Sequence, residues 1–211
     1  SLIDGARLSR ARTIVFAHGD IEALARHLAD TQSAGVRIVV VESLYSMDGD
    51  MAPLADYAAI CREAGALLVV DEAHAVGVYG PRGSGLLETS GADAGGCVSI
   101  NTAGKALGVG GAFVAGPAWV IEYLVQRARP FVFTTAAPPA MADALSASLV
   151  VIEEEPERRA RLLERAAYLR CRLREGGVDI PPGSSQIIPV LVGDNERVVD
   201  VARAVQAEGF D

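Results

Sequence analysis

Short apolar runs rich in β-branched residues alternate with segments of helical periodicity along most of the chain. This alternation is typical of βαβ units, in which crossover helices join parallel strands of one sheet. The runs that predict strands lie at residues 12–16, 37–41, 67–70, 98–100 and 112–115. The run at 37–41 is almost continuously apolar, as expected for a strand that is buried on both faces. The sequence therefore predicts an α/β fold with a mostly parallel sheet.

Helix signals lie between the predicted strands. Asp20 is a predicted N-cap for a helix that runs to about Leu28. Pro53 begins a second helix, which Gly65 ends, and Pro117 begins a third. The second helix has one apolar face, formed by Leu54, Tyr57, Ala58 and Cys61.

The pattern changes in the last third of the chain. Residues 138–175 are predicted to be helical with a break near Pro156, and a glycine- and proline-rich stretch follows at 176–183. A strand at 186–192 and a helix at 195–208 are predicted after it. Arginines and glutamates intermingle in the second half of the long helical region. We interpret them as a solvated face with ion pairs and not as a basic binding face.

Two domains are predicted from this change of pattern. The boundary is predicted inside the long helical region or at the linker of residues 176–183, and residues 1–155 are predicted to be part of a large domain. Residues 156–211 are predicted to form a long linking helix and the start of a smaller C-terminal domain. The chain lacks an initiator Met and stops where a further strand should begin, so we expect it to be part of a longer polypeptide.

The charge and cysteine content limit the partners that we expect. A net charge of −8 and a pI near 4.9 argue against nucleic acid and against anionic membranes. The sequence has no apolar stretch long enough to cross a membrane and no signal-peptide pattern at its start. Its cysteines, Cys61, Cys97 and Cys171, have no CxxC spacing. We therefore predict no metal site and no disulfide framework, and we expect a reducing cytoplasm.

Lys105 is the single lysine among the 19 lysine and arginine residues of the chain. A guanidinium group supplies a solvated positive charge, but it cannot lose its proton and attack a carbonyl group as an amine can. Lys105 lies in the small-residue segment TAGKALG at 102–108, which a planar cofactor can approach closely. The segment lacks the spacing of a Walker motif. Lys105 is therefore a candidate nucleophile.

Three polar segments each follow a predicted strand: SLYSMDGDMAP at 43–53, VDEAHAVGVYGPRGSG at 70–85 and SINTAGKALGVGG at 99–111. Ligands of open α/β sheets bind outside the carboxyl ends of the strands, so one pocket is expected from these segments. Asp71 ends a buried strand, where a carboxylate needs a cationic partner such as a protonated pyridine nitrogen. His74 is a candidate partner for a phenolic oxygen of the same cofactor.

The same segments resemble, in order and spacing, the signature blocks of the α-oxoamine synthases, a family of fold-type I pyridoxal 5'-phosphate (PLP) enzymes. The blocks are SMDGD at 46–50, VDEAHAVG at 70–77, GPRGSG at 80–85, TAGKALG at 102–108 and RARPFVFTTAAPP at 127–139. The similarity extends from about residue 2 to residue 209. It implies the PLP-dependent transferase fold of type I, with a mostly parallel sheet in the large domain.

The resemblance implies a role for each matching residue. Lys105 would bind PLP as a Schiff base and move the Cα proton of the substrate. Asp71 would pair with the pyridinium nitrogen, and His74 would contact the phenolic oxygen. Ser46 would lie near the ring, and Thr102 would bind the phosphate.

The resemblance also implies a homodimer. Thr134 and Thr135 would contact the phosphate of the cofactor in the partner subunit. Ala103 departs from the family pattern, which often has a larger residue there, so the pocket is expected to be looser at this point.

The reaction that the resemblance implies joins an amino acid to an acyl thioester, with loss of carbon dioxide, to give an aminoketone. The sequence GVGGAFVAG at 108–116 favours the branch that uses L-alanine and a pimeloyl thioester, on CoA or a carrier protein, in biotin synthesis. VYGPRGSG at 78–85 also resembles glycine-using branches, of the 5-aminolevulinate synthase or 2-amino-3-ketobutyrate CoA ligase type. A non-catalytic partner subunit of the same fold and a transaminase are two further hypotheses for the function of this chain.

Overall fold

A computed structural model describes the chain in three stretches, residues 2–30, 35–92 and 95–210. By their contacts the described residues divide into two compact units. The first unit lies within residues 2–45 and 51–160, and the second lies within residues 46–50 and 161–210. The predicted domain boundary between residues 155 and 156 stays a prediction.

The first unit is built on one four-stranded sheet. Its strands are β1 (Ile38–Glu42), β2 (Leu67–Asp71), β3 (Cys97–Thr102) and β4 (Ala112–Ala115), in the order β1-β2-β3-β4. β2 pairs in parallel with β1 and with β3, whereas β4 runs antiparallel to β3. The connection of residues 103–111 between β3 and β4 is too short for a crossover helix, which explains the antiparallel pairing. The predicted α/β class with a mostly parallel sheet is confirmed.

Eight α-helices lie among the described residues of the two units. They are α1 (Leu2–Leu8), α2 (Ile21–Asp30), α3 (Leu54–Ala64), α4 (Ala118–Arg127), α5 (Arg129–Val132), α6 (Pro139–Glu154), α7 (Pro156–Glu175) and α8 (Asn195–Ala207). A short 3-10 helix lies at Leu87–Thr89. Among the residues that the structure describes, no helix combines the length and apolar character that a membrane span requires.

Three predicted helix ends are confirmed by their backbone chemistry. The Asp20 carboxylate accepts the N–H of Ala23 at 2.8 Å and so caps the start of α2. Gly65 ends α3 in the left-handed conformation, with φ 63°. Pro156 begins α7 and breaks the long helical region, because proline has no N–H to continue the hydrogen-bond ladder of α6.

The hydrophobic core of the first unit lies between one face of the sheet and α3. The predicted apolar face of α3 supplies Leu54, Tyr57, Ala58 and Cys61. The sheet supplies Val39, Val41, Leu68 and Val70. Phe16 packs against this core with its ring edge-on to Tyr57, at 5.9 Å between ring centroids. The core holds β1 and β2 in place up to their carboxyl ends.

The prediction of a strand at residues 12–16 is wrong. These residues are all described, and none of them is in a strand. Ile14 and Val15 are 38% and 85% exposed, so Phe16 is the apolar residue of the run that reaches the core. A β-branched run forms a strand when its side chains pack against neighbours, and these side chains do not.

The prediction that the first strand is buried on both faces is also wrong. Val39 and Val41 of β1 are buried, whereas Ile38 and Val40 are 56% and 40% exposed. Apolar content alone does not show whether a second layer covers a sheet face.

The interpretation of α7 as a solvated face with ion pairs holds for part of the helix. Arg158 pairs with Glu155 at 2.6 Å, and Arg172 pairs with Glu175 at 2.7 Å. The interpretation is wrong for Arg170, which is 4% exposed. Its guanidinium group donates hydrogen bonds to backbone carbonyl groups, those of Pro181, Ser185 and Ile187.

The prediction of a strand at residues 186–192 is wrong as well. This stretch of the second unit is described and irregular. Pro189 has no N–H to donate to a ladder, and the carbonyl of Ile187 bonds to Arg170 instead of a strand. The helix predicted at 195–208 is confirmed as α8.

Candidate active site

Two of the three polar segments begin at neighbouring strands of the first unit. β2 ends at Asp71, and β3 ends at Thr102, three residues before Lys105. Asp71 lies opposite Glu42 of β1 and Ile100 of β3 in the register of the sheet. Because these strands are parallel, their carboxyl ends meet at one edge. The candidate site lies at this edge.

Lys105 and His74 are in direct contact at the site. Nζ of Lys105 lies 3.0 Å from Nε2 of His74, and the Lys105 side chain is exposed. Burial of the imidazole lowers the pKa of His74, and the charge of Lys105 lowers it further, while Glu42 and Asp71 oppose this change. The imidazole is therefore held towards its neutral form, which can accept a hydrogen bond from an ammonium group.

Hydrogen bonds within the loop and from α6 fix the loop of residues 103–111, which carries Lys105. Within the loop, the N–H of Ala103 donates to the carbonyl of Gly111 at 2.9 Å. From α6, the hydroxyl of Ser148 donates to the carbonyl of Leu107 at 2.7 Å. Both Ala103 and Leu107 are buried. The exposed lysine side chain thus projects from a backbone that is held in place.

Asp71 is half-buried at the end of β2. Its Oδ1 accepts the N–H of Ala73 at 2.9 Å, which fixes the carboxylate at the start of the segment that leads to His74. A carboxylate held in this way favours the protonated form of a nearby base. This is the chemistry that the sequence predicts for Asp71.

The hydroxyl of Thr102 is buried and has no hydrogen-bond partner among the residues that the structure describes. Leaving such a group unpaired costs about 1–3 kcal/mol. An oxygen atom of a bound anion would satisfy it. Thr102 therefore fits the predicted contact with a phosphate group, and Lys105, Asp71 and His74 fit the other polar groups of PLP.

Three predicted site residues are not tested by this geometry. Ser46 is exposed and belongs to the second unit. Thr134 and Thr135 are exposed between α5 and α6. Their contacts with the ring and with the partner subunit's cofactor stay predictions.

Sequence reasoning did not single out two carboxylates near the site. Glu42 ends β1 directly after an apolar run, as Asp71 ends β2, so the same pattern could have identified it. Glu72 is 0% exposed and accepts the hydroxyl of Ser43 at 2.6 Å. Successive residues of a strand point to opposite faces, so one acid of the pair Asp71 and Glu72 had to turn inward. The sequence does not show what satisfies that inward carboxylate.

The sequence matches known proteins over its whole length. The family model for aminotransferase class I and II matches residues 1–210. An 8-amino-7-oxononanoate synthase of Aromatoleum aromaticum is 47% identical over 210 residues, which cover 100% of this chain and 54% of that protein. The chain thus spans about half the length of the curated relatives it matches.

The fold also matches solved structures. A serine palmitoyltransferase of S. paucimobilis, solved with a bound PLP–myriocin aldimine, has a TM-score of 0.92 at 30% identity and covers 99% of this chain and 54% of that chain. An 8-amino-7-oxononanoate synthase of Francisella tularensis has a TM-score of 0.81 at 25% identity, over 98% and 60% of the two chains. The predicted type I fold of PLP-dependent transferases is confirmed.

Proposed function

Because the chain belongs to the aminotransferase class I and II family, we propose that it acts as a PLP-dependent α-oxoamine synthase. The proposed reaction joins L-alanine to a pimeloyl thioester, with loss of carbon dioxide, and gives an aminoketone of biotin synthesis. The observation that carries the proposal is the contact of 3.0 Å between Nζ of Lys105 and Nε2 of His74. It places an amine and an imidazole at the sheet edge where Asp71 ends β2.

Four residues would hold the cofactor. Lys105 supplies the amine for covalent attachment, and Thr102 supplies a buried hydroxyl for the phosphate. Asp71 supplies a carboxylate for the ring nitrogen, and His74 supplies a donor for the phenolic oxygen. When bound, PLP supplies an electron sink for the negative charge that develops at the Cα atom of the amino acid.

In the proposed reaction, Lys105 and His74 transfer and hold one proton. Nζ of Lys105 would accept the Cα proton of the amino acid. The imidazole of His74 accepts a hydrogen bond from the resulting ammonium group and so keeps the proton at Nζ. The lowered pKa of His74 supports this role, because an imidazolium ion would repel the ammonium group.

The relatives support the choice of substrates. The Aromatoleum aromaticum relative, which is named 8-amino-7-oxononanoate synthase, is 47% identical to this chain. The serine palmitoyltransferase is 30% identical. The identity of 47% over the whole chain favours alanine over serine as the amino acid, although the solved Francisella tularensis synthase is only 25% identical.

The homodimer and the cytoplasmic location belong to the same proposal. In it, Thr134 and Thr135 contact the phosphate in the partner subunit, and Ser46 contacts the ring. The buried, unbridged cysteines Cys61 and Cys97 agree with a reducing compartment.

Titration of the PLP-loaded protein with amino acids tests the proposal. We expect a saturable change in the visible absorption that is strongest with L-alanine. A change that is strongest with glycine or L-serine would assign the chain to another branch of the family. No response to any of the three would contradict the enzyme proposal and favour a non-catalytic partner subunit.

Borohydride reduction and peptide mass spectrometry test the attachment site. We expect the reduced cofactor on Lys105. Lys105→Arg is the matched control, because it keeps the positive charge but cannot form the covalent bond.

A further inference from the structure

We propose that Glu72 is a positioning residue, which clamps the loop of residues 73–87 to the ends of β1 and β2 and so holds His74 against Lys105. This inference rests on the proposed role of Lys105 as the PLP-binding residue. Glu72 is fully buried, with 0% of its surface exposed, and it acts through the loop instead of contacting the substrate.

The Glu72 carboxylate joins segments that are far apart in the sequence. Its Oε2 accepts the hydroxyl of Ser43, directly after β1, at 2.6 Å and the N–H of Leu86 at 3.0 Å. Its Oε1 accepts the N–H of Leu87 at 2.6 Å. Gly85 packs against the same carboxylate, since a Cβ atom there would lie 2.6 Å from Cδ of Glu72. These hydrogen bonds connect the far end of the loop, at Leu86 and Leu87, to its start and to the end of β1.

The near end of the loop carries His74. The backbone carbonyl of Glu72 accepts the N–H of Val76 at 2.8 Å and closes the turn that contains His74. The N–H of Gly77 then donates to the carbonyl of Gly83 at 2.7 Å, which turns the chain back on itself. The side chain of Glu72 thus holds the far end of the loop, and its backbone carbonyl holds the near end. We infer that loss of the side-chain bonds loosens the loop and, through it, the turn with the histidine.

The three groups that bond to the carboxylate are all hydrogen-bond donors. A carboxylate accepts at both oxygens, whereas the isosteric glutamine has one oxygen and one NH₂ group. In either orientation that NH₂ group faces the N–H of Leu86 or of Leu87, and the buried N–H loses its acceptor. Burial raises the pKa of Glu72, while the bonds from Ser43 and from these two N–H groups oppose the rise. Glu72→Gln thus breaks the clamp and conserves the volume.

Three variants of the complete protein separate a positioning role from a purely structural one. Glu72→Gln breaks the clamp, and Ser43→Ala removes one of its three donors. Glu175→Gln is the matched control, because Glu175 is an exposed carboxylate that bonds to Arg172 on its own helix, outside the loop of residues 73–87. Circular dichroism identifies a temperature at which each variant is folded, and the measurements are made at that temperature.

Three quantities are measured for each variant. The Kd for PLP comes from titration of the cofactor-free protein. The fraction of chains with borohydride-trapped Lys105 comes from mass spectrometry at saturating PLP. The pKa of His74 comes from an NMR titration of the cofactor-free protein, so it does not depend on PLP.

Glu72→Gln is expected to raise the Kd for PLP by about tenfold or more, because loss of a buried acceptor disorders the loop. The trapped fraction should fall, and the pKa of His74 should rise as the imidazole leaves the Lys105 charge and gains solvent. Ser43→Ala should change all three in the same direction by smaller factors. Glu175→Gln should change none of them.

The inference would be overturned if folded Glu72→Gln protein had the same Kd for PLP, the same trapped fraction of Lys105 and the same pKa of His74 as the wild type. If Glu72→Gln does not fold, the same result in Ser43→Ala overturns it. A wild-type protein that binds no PLP overturns the proposed function alone, and the His74 titration then decides on the clamp.

Discussion

A Cβ atom added to Gly77 would lie 2.8 Å from the Cβ atom of Ala106. Ala106 directly follows Lys105, and Gly77 lies three residues after His74. The two loops of the site therefore touch at a point where residue 77 has no room for a Cβ atom. We therefore expect the distance of 3.0 Å between Nζ of Lys105 and Nε2 of His74 to depend on this close approach.

Gly77→Ala is expected to lower thermal stability and PLP affinity together. Gly77 has φ 79°, which costs about 1–2 kcal/mol for a residue with a Cβ atom, and the clash with Ala106 adds to this cost. Gly108→Ala is the control, because Gly108 has φ 65° and an added Cβ atom would meet nothing within 4 Å. It should lose stability and keep its PLP affinity. Equal losses of affinity in both variants, measured by PLP titration, would contradict the role of the contact.

Thr102→Val is expected to separate stability from cofactor binding. The Thr102 hydroxyl has no partner among the described residues, so the cofactor-free protein should be at least as stable as wild type. PLP affinity should fall about tenfold or more, because a hydrogen bond to an anion is lost. Ser148→Ala is the contrast, because it loses a bond of 2.7 Å to Leu107 and should be less stable in urea. Normal PLP affinity in Thr102→Val would argue against the phosphate contact.

Lys105→Ala is expected to raise the pKa of His74, but not to its ordinary value. Burial is the larger cause of the lowered pKa, and the Lys105 charge is the second. The NMR signal of His74 measures this change, and that of His27 on α2 serves as the internal reference. An unchanged titration would show that the amine and the imidazole are not in contact in solution.

The lowered pKa of His74 also predicts a pH dependence of stability. Near pH 6.5, His74 binds fewer protons in the folded than in the unfolded chain. Its contribution to stability is therefore complete above the unfolded pKa and is lost as the pH falls towards the folded pKa. Urea unfolding between about pH 5 and pH 8 should show this loss, and His74→Asn should reduce the slope. If the free energy of unfolding changed with pH equally in wild type and in His74→Asn, the pH dependence could not be assigned to His74.

Arg170→Met is expected to destabilise the protein by about 1–3 kcal/mol, because buried carbonyl groups lose their donor. The carbonyl groups belong to Pro181, Ser185 and Ile187. Arg172→Met is the control, since the Arg172 side chain is 61% exposed and should cost little. Urea unfolding of the complete protein measures both. An equal loss of unfolding free energy in both variants would show that burial of Arg170 does not contribute to stability.

The ends of the helices could be predicted where one residue determines them. Asp20, Gly65 and Pro156 begin or end a helix through their own backbone chemistry, and the structure has them in these places. The runs at 12–16 and 186–192 could not be interpreted in this way. A strand needs a neighbouring strand and buried side chains, and local preference does not contain that information.

The location of the site could be predicted from topology. The rule that ligands bind at the carboxyl ends of parallel strands brings Asp71, His74 and Lys105 to one edge, where the structure has them. The burial of Glu72 could not be predicted, because it depends on Ser43 and on Leu86 from two other parts of the chain.

Lys105, whose side chain is exposed, is the single lysine of these 211 residues. A protease that cuts after lysine therefore finds one target in this chain, the peptide bond between Lys105 and Ala106. A reduced cofactor on Lys105 would protect that bond, and a fragment that spans it would stay uncut in the denatured protein. The fraction of loaded protein can then be read from the amount of that uncut fragment.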